Sequence, residues 1–174
     1  EMSMWVRVGC LAIGYLFGLF QTSYIYGKAH GIDIRNYGSG NAGTTNTLRT
    51  LGKPAGYIVF LGDALKAVFA VWIVRYLLFP GLGDVTKILE TVTALGVVLG
   101  HNYPFYMHFK GGKGIAATGG FMFALDVRIA LIAAIVFAVV FFTTRYVSVG
   151  SLTITALFPI LMLIFYPGQW VVFG

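Results

Sequence analysis

Long apolar runs separated by short polar stretches make up this chain, and the runs are unbroken rather than alternating residue by residue. Strict alternation would suit the strands of a membrane barrel, whereas runs of about 20 apolar residues suit helices that cross a bilayer. The pattern predicts a first span from Met4 to Tyr26, a second from Ala55 to Phe79 and a third from Thr86 to Phe109, with a break near Gly100 and Pro104. The next apolar stretch, Ile115 to Leu125, is short. At about 1.5 Å per residue it cannot cross a core of about 30 Å unless its flanks help. Further spans cover Ile129 to Phe142 and a stretch that opens at Ser148 and ends near Tyr166, Pro167 and Gly168. A new apolar segment, Trp170 to Phe173, begins where the sequence stops, which reads as a last span cut short. The expected fold class is all-α, a polytopic membrane helical bundle forming one domain over residues 1–174.

Composition agrees with the pattern. Of the 174 residues 58% are hydrophobic and only 10% charged, against about 25% charged in a soluble domain. The formal charge of +6 does not point to nucleic acid, because no basic block exists. The cations sit in short loops beside apolar spans, which is how membrane proteins orient themselves. The loop from Gly27 to Lys53 carries Lys28, Arg35, Arg49 and Lys53 against Asp33, and a later loop carries Lys110 and Lys113. Both are expected on the cytoplasmic side. Asp84 and Glu90 against Lys87 place the connection after the second span outside. Cys10 stands alone, so no disulfide forms within the chain, and it reads as a small buried hydrophobe.

Within the spans a few positions break the apolar rule. Gly14 and Gly18 form a small-xxx-small pair that lets a neighbouring helix approach closely. Pro54 suits the first turn of a new helix. Asp63 and Lys66 are three residues apart and share a helix face. A lone charge at mid-membrane costs roughly 3 kcal/mol, so the pair is expected to face the bundle interior.

Two polar clusters carry the candidate chemistry. The first runs Gly38-Ser39-Gly40-Asn41-Ala42-Gly43-Thr44-Thr45-Asn46-Thr47-Leu48-Arg49. Its glycines let successive N–H groups point at one anion. Ser39, Thr45, Asn41 and Asn46 add donors, and Arg49 adds a planar cationic fork. An ordinary polar turn is the plain alternative. The second cluster joins Gly100-His101-Asn102-Tyr103-Pro104 to Phe109-Lys110-Gly111-Gly112-Lys113-Gly114. It is not a Walker loop, because Gly114 stands where the hydroxyl residue belongs. It still makes a second anion cradle that can lead into a helix N-terminus.

His101 and His108 are the candidate bases. Neither has ligand-spaced partners for a metal, and no metal or cofactor is expected. Acyltransferases that pair a His with an Asp five residues on are not matched: His30, His101 and His108 are followed there by Arg35, Tyr106 and Lys113. No Gly-x-Ser-x-Gly elbow is present. Two anion-holding loops between spans fit an enzyme acting on phosphorylated and lipidic substrates, or a membrane carrier of an organic phosphate. Carriers usually bind near the midplane, and here the polar groups cluster beyond the spans, which favours the enzyme.

The two clusters, with Asp63-Ala64-Leu65-Lys66 between them, closely resemble the bacterial acyl-phosphate-dependent glycerol-3-phosphate acyltransferases, the PlsY family. The match covers nearly the whole chain in order. The resemblance implies a seven-span bacterial plasma-membrane enzyme, taken as a monomer. It implies acyl transfer from acyl phosphate to the 1-hydroxyl of sn-glycerol 3-phosphate, giving lysophosphatidic acid and phosphate, with no use of acyl-CoA or acyl carrier protein and no protein base. By position, Ser39, Arg49, Lys113 and His101 become catalytic candidates. Gly38, Gly40, Asn41, Gly43, Thr45, Asn46, Lys66, Lys110, Gly111, Gly112, Gly114, Ser148 and Ser151 become substrate-binding candidates. The family's last span and its basic tail, with a functional His and Asn, have no counterpart in this sequence.

Overall fold

The first predicted span is not one helix. In the computed structural model, which describes residues 2–168, it is α1 (Met4–Gly18) followed after a short break by α2 (Thr22–Ala29). Ser3 caps α1 by accepting from the Trp5 N–H. The break strips carbonyls of their helical partners, and buried polar groups must then satisfy them. Side chains from later in the chain do so. The Lys66 ammonium reaches the Phe20 carbonyl at 2.6 Å and that of Gly18 at 3.3 Å. The Tyr106 hydroxyl donates to Leu19 at 2.6 Å.

The polar stretch after α2 contains a single 3-10 turn, Ile34–Asn36, and then a helix, α3 (Thr44–Leu51). The loop expected to run through Arg49 therefore ends at Gly43, and Arg49 belongs to a helix. α4 (Lys53–Trp72) follows, with Pro54 in its first turn as expected, and continues as a π-helical segment, Ile73–Leu78. α5 (Thr86–Asn102) stops before Pro104, the break the sequence predicts. α6 (Ile115–Leu125), α7 (Val127–Thr144) and α8 (Val147–Phe165) complete the described chain. Four segments, Met4–Ala29, Lys53–Leu78, Val127–Thr144 and Val147–Phe165, are long and apolar enough to cross a membrane. The segment Trp170 to Phe173 lies outside the described residues.

α1 and α5 run parallel and in backbone contact. A Cβ on Gly14 would strike the Thr93 carbonyl, and one on Gly18 the Val97 carbonyl. Gly96 and Gly100 return the contact, facing Leu11 and Tyr15. α4 lies antiparallel to both, and α6 packs on it where Gly120 meets the Ala64 backbone. The largest apolar core joins α4, α5, α6, α7 and α8 through Val71, Val97, Phe121, Ile129 and Ile154. Cys10 is buried with Val74 and Leu89.

Glu90 corrects the sequence reading. It does not lie in an outer loop but is fully buried in α5. Arg75 grips it through two bonds of 2.8 and 2.7 Å, and Lys87 sits 3.3 Å away. Arg75 also donates to the Ala124 carbonyl, and Lys87 to that of Leu125 at 2.6 Å. These cations satisfy the C-terminal carbonyls of α6.

Candidate active site

Three glycines and one asparagine set the shape of the first loop. Gly38 and Gly40 have φ of 54° and 72°, which glycine adopts at little cost. Asn46, buried in α3, commits its whole amide to the loop. Its Oδ1 accepts from the Ser39 N–H at 3.0 Å, and its Nδ2 donates to the carbonyls of Tyr37, Asn41 and Ile34 at 2.9, 3.1 and 3.2 Å. The Asn46 side chain is thus a clamp on the loop backbone, and its amide is not left over for an anion. Gly43 is extended, and its carbonyl accepts from both the N–H and the hydroxyl of Thr47.

The loop delivers the chain to an open helix end. The N–H groups of Thr44, Thr45 and Asn46 form no hydrogen bond to the protein among the described residues, and no side chain caps α3. The Thr44 hydroxyl is buried without a partner. Ser39 and Arg49 are exposed, Asn41 and Thr45 half-buried. Neither Arg49 nor Lys110 nor Lys113 enters an ion pair among the described residues. Arg35 differs. It is spent on Asp33 at 2.8 Å and on the Met107 carbonyl at 3.0 Å, which ties the two polar clusters together. Hydrogen bonding to Arg35 holds the Asp33 carboxyl below its ordinary value.

The second loop repeats the arrangement. Gly114, with φ of 76°, stands at the N-cap of α6, which again has no side-chain cap. The first bond of that helix is from Thr118 to the Gly114 carbonyl, so the N–H groups of Ile115, Ala116 and Ala117 have no protein acceptor among the described residues. Gly111 and Gly112 donate to the carbonyls of Asn102 and His101 at 3.0 and 3.1 Å. A Cβ on Gly111 would strike the His101 carbonyl, and one on Gly112 would strike both His101 Nε2 and the Ala42 carbonyl of the first loop. Gly112 is therefore where the two loops meet. Two uncapped helix ends, joined through that contact, can hold two anions.

Behind the junction lies a buried polar network. His101 is 2% exposed, and its Nδ1 is 2.8 Å from Lys66 Nζ. Lys66 is 3.1 Å from Asp63, which also accepts from the Thr22 hydroxyl at 3.2 Å. The Asp63–Lys66 pair faces inward as the sequence predicts. Lys66 itself is enclosed and fully engaged, so it adjoins the junction through His101 rather than opening onto it. Gln21, absent from the sequence-derived candidates, is fully buried and donates to the His101 carbonyl at 2.8 Å. The short polar run Gln21-Thr22-Ser23 between Phe20 and Tyr24, inside an otherwise apolar stretch, is the available signal. Neither Ser148 nor Ser151 forms a hydrogen bond to the loops among the described residues. Ser148 is exposed on the first turn of α8, and Ser151 donates to the Val147 carbonyl at 2.8 Å. His108, exposed and left-handed with φ of 53°, is not in the network.

A family model described as glycerol-3-phosphate acyltransferase matches residues 8–174. A glycerol-3-phosphate acyltransferase of Clostridioides difficile is 45% identical over 152 residues, covering 87% of this chain and 74% of the relative. Glycerol-3-phosphate acyltransferase 2 of Moorella thermoacetica is 38% identical over 172 residues, covering 98% and 84%. Among solved structures, the glycerol 3-phosphate form of PlsY (YgiH), an integral membrane glycerol 3-phosphate acyltransferase, superposes with a TM-score of 0.81 at 36% identity, covering 92% of this chain and 78% of that one. Its lysophosphatidic acid form gives 0.79 at 35% identity, covering 92% and 77%.

Proposed function

The chain belongs to the glycerol-3-phosphate acyltransferase family, and from that membership we propose that it takes its acyl group from an acyl phosphate at the junction of the two glycine loops. It is an integral membrane acyltransferase that acylates glycerol 3-phosphate to lysophosphatidic acid. The observation that carries the choice of donor is the pair of uncapped helix N-termini brought together where Gly112 meets Ala42. One phosphoanion needs one such end. Two ends side by side suit a donor and an acceptor that are both phosphates.

The chemistry needs little beyond positioning. The glycerol hydroxyl oxygen attacks the acyl carbonyl, the bond from that carbon to the phosphate oxygen breaks, and the departing phosphate takes the hydroxyl proton. Ester and inorganic phosphate result. Holding the reactants at reacting distance is the dominant contribution. Repulsion between the two phosphates is offset by Arg49, Lys110 and Lys113, whose charges are not spent on carboxylates. Ser39 and Thr45 supply hydroxyl donors at the rim, and Gly38, Gly40 and Gly43 shape the first cradle as Gly111, Gly112 and Gly114 shape the second. This end of the bundle faces the cytoplasm of a bacterial plasma membrane, and the protein acts as a monomer.

The test compares donors. Protein purified in detergent is given glycerol 3-phosphate with either acyl phosphate or acyl-CoA. Stoichiometric phosphate and lysophosphatidic acid from acyl phosphate, with none from acyl-CoA, is the expected result. Turnover with acyl-CoA alone overturns the choice of donor.

A further inference from the structure

The buried network of Thr22, Asp63, Lys66 and His101 has a direction to it. Phe20 O, Gly18 O and Asp63 Oδ1 can only accept, so Lys66 Nζ donates to them. Asp63 is the carboxylate in contact with Lys66, and a buried carboxylate without a countercharge is costly. Charge balance therefore gives an ammonium beside a carboxylate. An ammonium has no lone pair and three N–H groups: the shortest contacts, to the Phe20 carbonyl at 2.6 Å and to His101 Nδ1 at 2.8 Å, take one each, and the third is shared between Asp63 Oδ1 at 3.1 Å and the Gly18 carbonyl at 3.3 Å. The ring proton of neutral His101 is then forced onto Nε2. That atom has no protein hydrogen-bond partner among the described residues, and it faces the backbone of Gly112 beside the Ala42 carbonyl. A Cβ on Gly112 would strike that atom, so glycine at this position leaves space in front of it.

We propose that Asp63 and Lys66 lock His101 as the Nε2–H tautomer, and that this N–H donates to a phosphate oxygen held where the two loops meet. His101 is on this account a substrate contact, neither base nor nucleophile. Lys66 is a positioning residue that never touches the phosphate. Gln21 assists by fixing the His101 carbonyl from the other side, through a bond of 2.8 Å. The ligand class is a phosphomonoester or acyl phosphate dianion. The inference rests on the acyl-transfer reading above for the identity of that ligand, but the tautomer is measured without any donor.

Protein labelled with ¹⁵N-histidine in micelles gives long-range ¹H–¹⁵N spectra in which His101 is assigned by its loss in His101→Gln. The expected wild-type pattern is a bare Nδ1 and a protonated Nε2, with the Nε2 proton shifting on addition of glycerol 3-phosphate. In Lys66→Met the pattern becomes a mixture of tautomers, and kcat falls about a hundredfold, the usual scale for a lost donor of this kind. A Gln amide places its nitrogen near the Nε2 position, and an Asn amide near Nδ1. His101→Gln should therefore keep at least ten times the kcat of His101→Asn at equal melting temperature. A wild-type Nδ1–H tautomer overturns the lock. So does an unchanged His101 pattern in a Lys66→Met protein that has lost activity, since Lys66 would then act directly. Equal activity of the two His101 amides overturns the donor role. If Lys66→Met fails to fold, the wild-type tautomer and the amide pair still decide. Failure with acyl phosphate but a correct tautomer would fault the donor assignment and leave the lock standing.

Discussion

Removing the Arg49 side chain breaks no ion pair among the described residues, and the residue is exposed on α3. Arg49→Ala should therefore fold and melt like the parent, while turnover falls by a hundredfold or more if the guanidinium holds a phosphate. Arg49→Lys should also be poor, because an ammonium cannot reproduce a bidentate fork. A steady-state assay beside a melting curve checks both, and near-normal turnover in Arg49→Ala would reduce the residue to surface charge. The glycines behave differently from one another. The sequence alone suggests that Gly111→Ala or Gly112→Ala would raise KM for glycerol 3-phosphate and leave kcat comparatively intact, with loss of stability through packing as the competing view. The structure joins the two, since each Cβ meets backbone, at the His101 carbonyl or at Ala42. Overpacking of this kind costs about 1–3 kcal/mol, so both variants should lower the melting temperature as well as raise KM. Gly119→Ala is the matched control, because nothing lies within 4 Å of its Cβ position. Parent-like stability in Gly112→Ala would mean that the loops do not meet there. What the sequence could not reveal at this scale was Asn46. It looks like one more donor in a polar run, and only the folded loop brings three carbonyls and the Ser39 N–H around its amide.

At the scale of elements, Gly14 and Gly18 announced a close helix contact, but their partner was not legible. Gly96 and Gly100 answer them four residues apart on α5, in the same parallel sense. Backbone contact across this seam is what lets the end of α1 reach the end of α5, and so lets Gln21 and Lys66 reach the carbonyls at the break. Gly14→Ala or Gly96→Ala should push the helices apart and destabilise by roughly 2 kcal/mol. Activity should be lost together with stability rather than before it, as a thermal inactivation series would show. Stable, active Gly96→Ala protein would disprove the seam. The break after Gly18 escaped the sequence reading for a physical reason. Local propensity there is helical and apolar, and the groups that donate to the freed carbonyls, on Lys66 and Tyr106, are 48 and 87 residues away. Helix starts at Pro54 and stops near Pro104 were legible, because proline acts locally.

Over the whole molecule the charges sort themselves by end. Lys28, Arg49, Lys53, Lys110 and Lys113 stand at the loop end, where Asp33 is already taken by Arg35. Arg145 joins them, because α7 runs back from Asp126 to that end, while Tyr166 at the far end of α8 bonds Asp126. At the opposite end Arg75 and Lys87 are spent on Glu90, and Arg128 on Asp126. The Lys/Arg excess at the loop end supports the proposed cytoplasmic orientation. The Glu90 cluster also matters for depth. α6 has 11 residues, about 17 Å of helix against a hydrocarbon core of about 30 Å. Its far end is held by Arg75 and Lys87, so its near end, with the second loop, is expected to lie recessed from the membrane surface on the loop side. Impermeant thiol labelling in intact cells and in inverted vesicles tests orientation and depth together. Cys10 is buried and is replaced by serine to give a silent background. Ser39→Cys and Arg145→Cys, both at exposed positions, should label only from the cytoplasmic side, and Leu82→Cys only from outside. Lys113→Cys should label from the cytoplasmic side more slowly than Arg145→Cys, and glycerol 3-phosphate should protect it. Labelling of Ser39→Cys from outside would invert the topology, and equal rates at positions 113 and 145 without protection would mean that the second loop is neither recessed nor part of the site.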